Sequence, residues 1–237
     1  MRGGAVTIHV KDRQIVAPGE FVGEQGRFRV EGQVFRVGRK YYSKVLGVVT
    51  VDEENRVVKV IPLKGKYFPV EGHIVVGKVV DIGFTSWEVD INSPYVAVLP
   101  VSEVTSRPVT ISRNELSRIL DVGDLILAKI VSFDLSKDPV LTIKESRLGK
   151  IPRGTLVEIP PQKVPRVIGR RGSMVSMIED LLGVKLIVGQ NGRIVVVGDD
   201  PQRVEIAVLA VRKIEAEAHT TGLTDRIKQF IEERLRS

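Results

Sequence analysis

The segment Val167-Ile168-Gly169-Arg170-Arg171-Gly172 constrains this chain most, because two glycines bracket two arginines at the mouth of a helix-like stretch. Glycine has no Cβ and tolerates left-handed backbone angles, so a G-x-x-G loop lets one main chain approach another closely. A helix opening at Ser173 would aim its unpaired N–H groups and partial positive charge at whatever the loop holds. Arg170 and Arg171 add cations that pair bidentately with phosphate oxygens. The same spacing also occurs in ordinary turns that two arginines merely solvate, so the order of the surrounding elements decides between the readings.

Upstream, Thr155 to Ile159 alternates as a strand, and residues 163–168 form a short helix through Pro165 that brings Lys163 and Arg166 beside the loop. Downstream, Met174, Ile178, Leu181 and Leu182 share a helical face. Two strands follow at 184–188 and 193–197, joined by the turn Gly189-Gln190-Asn191-Gly192. Asp200 and Pro201 then supply an N-cap and a first-turn proline for a helix predicted to turn Val204, Ala207, Val208, Val211 and Ile214 inward. A last helix over 224–235 places Ile227, Phe230, Ile231 and Leu235 on one stripe and is expected to close the same core. Over residues 151–220 this order resembles the KH RNA-binding domain in its eukaryotic and archaeal topology. The resemblance implies that the loop clamps four nucleotides beside an apolar groove for the bases.

The rest of the chain is written in a different period. Residues 71–148 give strands at 74–82, 85–91, 95–100, 124–133 and 139–144. The third connection carries Ser112-Arg113-Asn114-Glu115, a capping box for a short helix through Leu120. That is an OB-fold pattern. G-x-V-x-x-I-G-F at Gly77 to Phe84, L-P-V-S-E at Leu99 to Glu103, D-x-G-D at Asp121 to Asp124 and the final L-T-I-K make it similar to the S-one RNA-binding domain. The resemblance makes Phe84 and Trp87 candidates for stacking bases, with core or interface anchoring as the equal alternative for Trp87. The family's usual third-strand histidine is replaced by Pro100. Arg107, Arg113 and Arg118 of the long connection are further contact candidates, although a solvated loop is the ordinary state of such residues.

Residues 1 to about 68 read as strands near 13–17, 27–30, 33–37, 44–51 and 56–61, separated by glycine, proline and acidic turns, which is a small β-sandwich or barrel. The cations Arg27, Arg29, Arg36, Arg39, Lys40, Lys44, Lys64 and Lys66 are dense here. They either blunt exposed strand edges or dock on an acidic protein surface.

The chain of 237 residues has a net charge of +7, to which residues 1–70 contribute +6, residues 71–150 contribute −2 and residues 151–237 contribute +3. An anionic partner is therefore expected. No cysteine occurs, which excludes disulfides, zinc ribbons and cysteine nucleophiles. No signal peptide or membrane-length apolar run is legible, so a cytoplasmic protein with no membrane partner is expected. With three histidines and no acidic cluster at metal spacing, no metal, cofactor or catalytic residue is predicted.

The fold class expected is multidomain: an all-β N-terminal domain over 1–70, a five-stranded OB-fold barrel over 71–150, and an α+β KH domain with a C-terminal helix over 151–237. This order resembles the family of RNA-binding cap subunits of the archaeal exosome. The residues that carry the likeness are Ile15 to Glu20, Val60 to Leu63 through Tyr67-Phe68-Pro69, Gly83 to Ile91 and the G-x-x-G loop. Gly72-His73 stands where the family has Gly-Asp. The resemblance implies a non-catalytic subunit, present in three copies on a ring of RNase PH-like subunits, that captures single-stranded RNA and threads its 3′ end into the pore. It also places OB domains round that pore, where Glu88 and Asp90 would present negative charge. A free-standing single-strand RNA-binding protein, a translation or RNA-chaperone factor, is the alternative. A polynucleotide phosphorylase is disfavoured because its KH module precedes its S-one module, and the other exosome cap subunit because it ends in a zinc ribbon.

Overall fold

A computed structural model describes residues 9–24, 26, 28–63, 65–105, 113–134, 137–218 and 220–236. The chain divides into two compact units, Met1–Gly65 and Lys66–Ser237.

In the first unit the strands are β1 (Ile15–Val16), β2 (Phe21–Glu24), β3 (Arg29–Gly32), β4 (Val34–Val37), β5 (Lys40–Ser43), β6 (Gly47–Asp52) and β7 (Val57–Pro62). They form one sheet in the order β1-β6-β7-β3 and another in the order β2-β5-β4. The two share a core of small branched side chains, among them Val16, Val22, Val49, Val58 and Val60. An all-β N-terminal domain is thus present. It has two strands more than the sequence suggested, because Phe21-Val22-Gly23-Glu24 and Lys40-Tyr41-Tyr42-Ser43 do not alternate apolar with polar.

The second unit begins with the barrel: β8 (Ile74–Ile82), β9 (Ser86–Asp90), β10 (Val96–Pro100), β11 (Leu125–Asp134) and β12 (Lys137–Thr142). The order β12-β10-β9-β8-β11 closes because β11 also pairs with β12. The closure leaves no free strand edge. Register shifts in β8 near Val79 and in β11 near Ser132 supply the bends that closure needs. Helix α1 (Arg113–Ile119) lies between β10 and β11 in the chain and brings Leu116 and Leu120 into the barrel core. Its expected cap, Ser112, lies outside the described residues. Strand β13 (Gly149–Lys150) then extends the barrel sheet beside β11.

The remaining elements are β14 (Thr155–Glu158), α2 (Val164–Ile168), α3 (Ser173–Leu182), β15 (Lys185–Val188), β16 (Arg193–Val197), α4 (Pro201–Glu217) and α5 (Leu223–Arg236). The sheet runs β14-β16-β15, antiparallel throughout. On one face it packs against α2, α3, α4 and α5 through Val164, Ile178, Leu182, Val211, Ile214, Ile227 and Ile231. Asp200 caps α4 by accepting from the Gln202 N–H at 2.9 Å. Val204 and Val208 are only half-buried, in contrast to the inward position expected of them. The helix turns Ala207, Ala210, Val211 and Ile214 to the core instead.

The other face of this sheet is also covered. Val195 joins Val76 of β8 and Ile151 in a separate apolar cluster, flanked by Leu125, Leu127, Leu156, Ile187 and Val197. Burial on both faces explains why Ile194-Val195-Val196-Val197 is a continuous apolar run rather than an alternating one.

Candidate nucleic-acid interface

The loop is built by two helices that stop and start without side-chain help. Helix α2 ends at Gly169, whose φ of 75° and ψ of 178° no other residue adopts cheaply, and whose N–H returns to the Pro165 carbonyl. A Cβ there would come within 2.7 Å of the Met174 nitrogen. Gly172, at φ 83° and ψ 5°, precedes α3 in the left-handed region, and nothing lies within 4 Å of the position a Cβ would take. No side chain caps α3. The Ser173 N–H returns to the Arg170 carbonyl, so the later N–H groups of the first turn, which no side chain caps, are the donors left for an anion.

Arg171 sits between the glycines at φ 53° and ψ 31°, a left-handed conformation that costs a non-glycine residue about 1 kcal/mol. Arg170, Arg171 and Arg166 are all exposed. Three exposed cations, two glycines at positive φ and an uncapped helix start therefore fall within one short stretch of chain. Lys163 is placed differently: its Nζ donates to the Glu215 carbonyl of α4 at 2.7 Å, so its charge is tied to the end of a helix.

The candidates on the barrel separate. Phe84, in the turn between β8 and β9, is 90% exposed. Trp87 is completely buried in the barrel core, and its Nε1 donates to the Leu120 carbonyl at 2.9 Å. That corrects its reading as a base platform, because neither ring face is open to a base. Arg113 donates to Asp81 at 3.0 Å on the surface at the Phe84 end of β8. Arg107 lies outside the described residues. Six residues of β8 separate Val76, where the KH sheet packs, from Ile82 beside Phe84.

Sequence reasoning missed the role of the turn Gly189-Gln190-Asn191-Gly192. It joins β15 to β16 as expected, yet its side chains lock the KH sheet to the barrel. The buried Asn191 amide donates to the carbonyls of Val76 and Ile91, both at 2.8 Å, and its oxygen accepts from the Val76 N–H at 3.2 Å. Gln190 exchanges two bonds with Ile74. Next to it Arg193, with 6% of its side chain exposed, donates to Asp90 and to Glu158 of β14. Partial burial pushes the Asp90 carboxyl up. The Arg193 hydrogen bond, the Asn92 N–H and the charges of Arg193 and Lys78 outweigh this and hold it below the usual carboxylate value. Asp90 is therefore a joint between domains, whereas Glu88 stays exposed. An Arg opening an otherwise apolar strand, Arg193 before Ile194-Val195-Val196-Val197, was the available signal.

Among the described residues no three His, Asp or Glu side chains converge as metal ligands would, and no helix is long and apolar enough to cross a membrane.

A closed five-stranded barrel joined to a sheet-and-helix domain with an arginine-bearing G-x-x-G loop defines a multidomain RNA-binding protein of the S-one and KH class. Residues 13–64 match the family model described as the exosome RNA-binding protein RRP4 N-terminal domain, residues 66–132 match the RRP4 S1 domain, and residues 154–213 match the KH domain. The chain belongs to the Rrp4 family of exosome complex components. It is 42% identical to exosome complex component Rrp4 of Thermococcus kodakarensis, over 97% of this chain and 89% of that one. With the Rrp4 of Pyrobaculum aerophilum it shares 44% identity over 94% of each chain. A crystal structure described as that of a candidate exosome complex RNA-binding protein is 45% identical, with a TM-score of 0.67 over 73% of this chain and 98% of that one.

Proposed function

We propose that this chain is the RNA-binding cap subunit of an archaeal-type exosome. In this reading three copies sit on a ring of RNase PH-like subunits, hold single-stranded RNA and direct its 3′ end into the pore. Cleavage belongs to the ring; the chain supplies grip and direction, without a catalytic residue or cofactor, in the cytoplasm. The observation that carries the reading is the loop at Gly169 to Gly172, where exposed Arg170 and Arg171 stand before the uncapped start of α3. Backbone contacts of that kind hold a strand without selecting a base sequence, which suits a subunit that must accept many transcripts.

The relatives named as exosome complex components support assembly into a larger particle. So does the outer face of the four-stranded sheet. Ile15, Val48 and Ile61 are direct cross-strand neighbours there, and Leu46 and Leu63 are exposed at the ends of β6 and β7. Clustered aliphatic exposure of this sort marks surfaces that protein partners cover.

The test is to purify the tagged chain from its source after nuclease treatment and to determine the mass and composition of what remains. Co-elution with RNase PH-like subunits in a particle with three copies supports the cap. Elution as a lone chain would leave a free-standing RNA-binding protein.

A further inference from the structure

We infer that the outer face of the three-stranded sheet β2-β5-β4 is a second RNA-binding site, a platform on which unpaired bases stack. The inference rests on the RNA-binding reading above and adds to it a place and a mode of binding.

Three aromatic rings form a row across this sheet. Phe21 of β2 lies opposite Tyr42 of β5, and Tyr42 lies opposite Phe35 of β4. The ring centroids are 5.7 Å and 5.5 Å apart, and the second pair is nearly parallel, with 24° between the planes. The His9 ring extends the row beyond Phe21 at 4.8 Å. Alternation along the strands puts Val37 and Lys40 on this same face and Val22, Val34 and Ser43 on the opposite one, towards the shared core.

Cross-strand packing accounts for the ring contacts. It does not account for the exposure of Phe35, at 39%, or of Val37, at 58%, in a unit whose interior is made of valines. A surface row of rings, here with Phe35 exposed and Phe21 and Tyr42 half-buried, is what single-stranded nucleic acid uses, because every base has a π-face and stacking on rings needs no sequence.

The charge around the row fits the same ligand. Lys40 holds its Nζ 5.6 Å from the Phe21 ring centroid, and Arg39 and Lys44 flank β5, while Arg36 alternates to the other face of β4. Among the described residues Lys40 is the one of these four with a carboxylate within reach, Glu24 at 4.0 Å. These cations belong to the segment with the largest basic excess in the chain. The aliphatic patch that suits a protein partner is on the other sheet of the unit, so the two surfaces divide by chemistry: branched aliphatic residues on one, rings and cations on the other.

The test uses the full chain, a fluorescent oligouridylate long enough to cover both units, and the variant Phe35→Leu with Tyr42→Leu, which keeps apolar bulk and removes the rings. Circular dichroism and thermal unfolding establish that the variant is folded; Phe35→Trp in the wild-type background provides a gain-of-stacking control. The expected result is a loss of affinity of about fivefold or more, the low end of what stacking contributes per base, with no change in salt dependence. Tighter binding by Phe35→Trp and photocrosslinks from 4-thiouridine RNA to peptides within residues 33–44 are expected as well. Unchanged affinity in the folded variant, together with no crosslink in that segment, overturns the platform. Failure of ring subunits to co-purify, with RNA affinity intact, also overturns it and makes the face a protein-docking surface. If Gly172→Asp lowers affinity while the leucine variant does not, the platform fails and the RNA-binding reading stands. If the wild-type chain does not bind the oligonucleotide at all, both fail.

Discussion

Arg193 of the KH sheet holds Asp90 of the barrel twice, through the backbone oxygen at 2.5 Å and the carboxylate at 2.6 Å, while its Nε binds Glu158 at 2.8 Å. One guanidinium therefore closes a junction between two domains. Both carboxylates are partly solvated, so their loss of a partner is screened. Arg193→Met should cost about 2 kcal/mol in chemical denaturation, less than the value for a fully buried pair. A change under a few tenths would show that apolar packing alone joins the domains.

Asn191 makes the stronger case, since its amide is fully buried and answers three backbone groups of the barrel. Asn191→Ala should destabilise the unit by roughly 3 kcal/mol, because each orphaned buried group costs about 1–3 kcal/mol and some regain water. Asn191→Asp should also be costly, since a carboxylate cannot donate to the carbonyls of Val76 and Ile91. Denaturant midpoints for the two variants, compared with Gln190→Ala on the exposed side of the turn, check the assignment.

The Asp90 contribution has a defined pH sign. Its native pKa lies below the unfolded value of about 3.9, so the stabilisation is complete above that value and is lost as pH falls through the lower native one. Unfolding free energy measured from neutral pH downwards should lose this part only below about pH 4. In Asp90→Asn that part of the acid dependence should vanish.

The two loop glycines should respond differently to substitution. Gly172→Asp has open space but puts a side chain at φ 83°, a strain of about 1 kcal/mol that the fold is expected to survive, with weaker RNA binding and a salt slope lower by ~0.7 for every phosphate the loop no longer holds on a single strand. Gly169→Asp would press a Cβ on the Met174 backbone and should lower the unfolding temperature as well. Arg171→Gly should reduce the salt slope without lowering stability, because it removes a side chain from a left-handed site. Titrations of labelled RNA over a salt series separate these outcomes.

Phe84 and Trp87 are three residues apart and should behave oppositely. Phe84→Ala is expected to change stability by less than about 0.5 kcal/mol and to weaken RNA binding by ~1–3 kcal/mol if the ring stacks on a base. Trp87→Ala should cost about 3–5 kcal/mol of stability, as emptying a core site does. An RNA defect in a fully folded Trp87→Phe would contradict its assignment to the core.

The barrel strands and the order of the KH elements were legible because their apolar periods are long and their turns carry glycine, proline or a cap. Asp200-Pro201 marks the start of α4 to the residue. Strands β2 and β5 were not legible, since Gly23 and the adjacent Tyr41 and Tyr42 break alternation in elements only four residues long. Their pairing is a tertiary fact, and so is the aromatic row that depends on it. Trp87 shows a further limit: a ring in a strand beside an exposed turn reads equally as platform or core, and only the neighbouring Leu120 carbonyl decides. The loop was legible in type and position, but the left-handed angle of Arg171 and the diversion of Lys163 to α4 depend on backbone geometry that spacing does not encode.

The double-sided burial of β16 sets a limit on modular design. A fragment starting near residue 151 would carry Val195, Leu156 and Ile187 bare to solvent, together with an Asn and an Arg built to answer groups it no longer meets. Such an excised piece would stick to itself before it bound anything, so grafting this G-x-x-G loop and its sheet onto another scaffold requires either transplanting the barrel with it or rewriting that sheet face as a polar one.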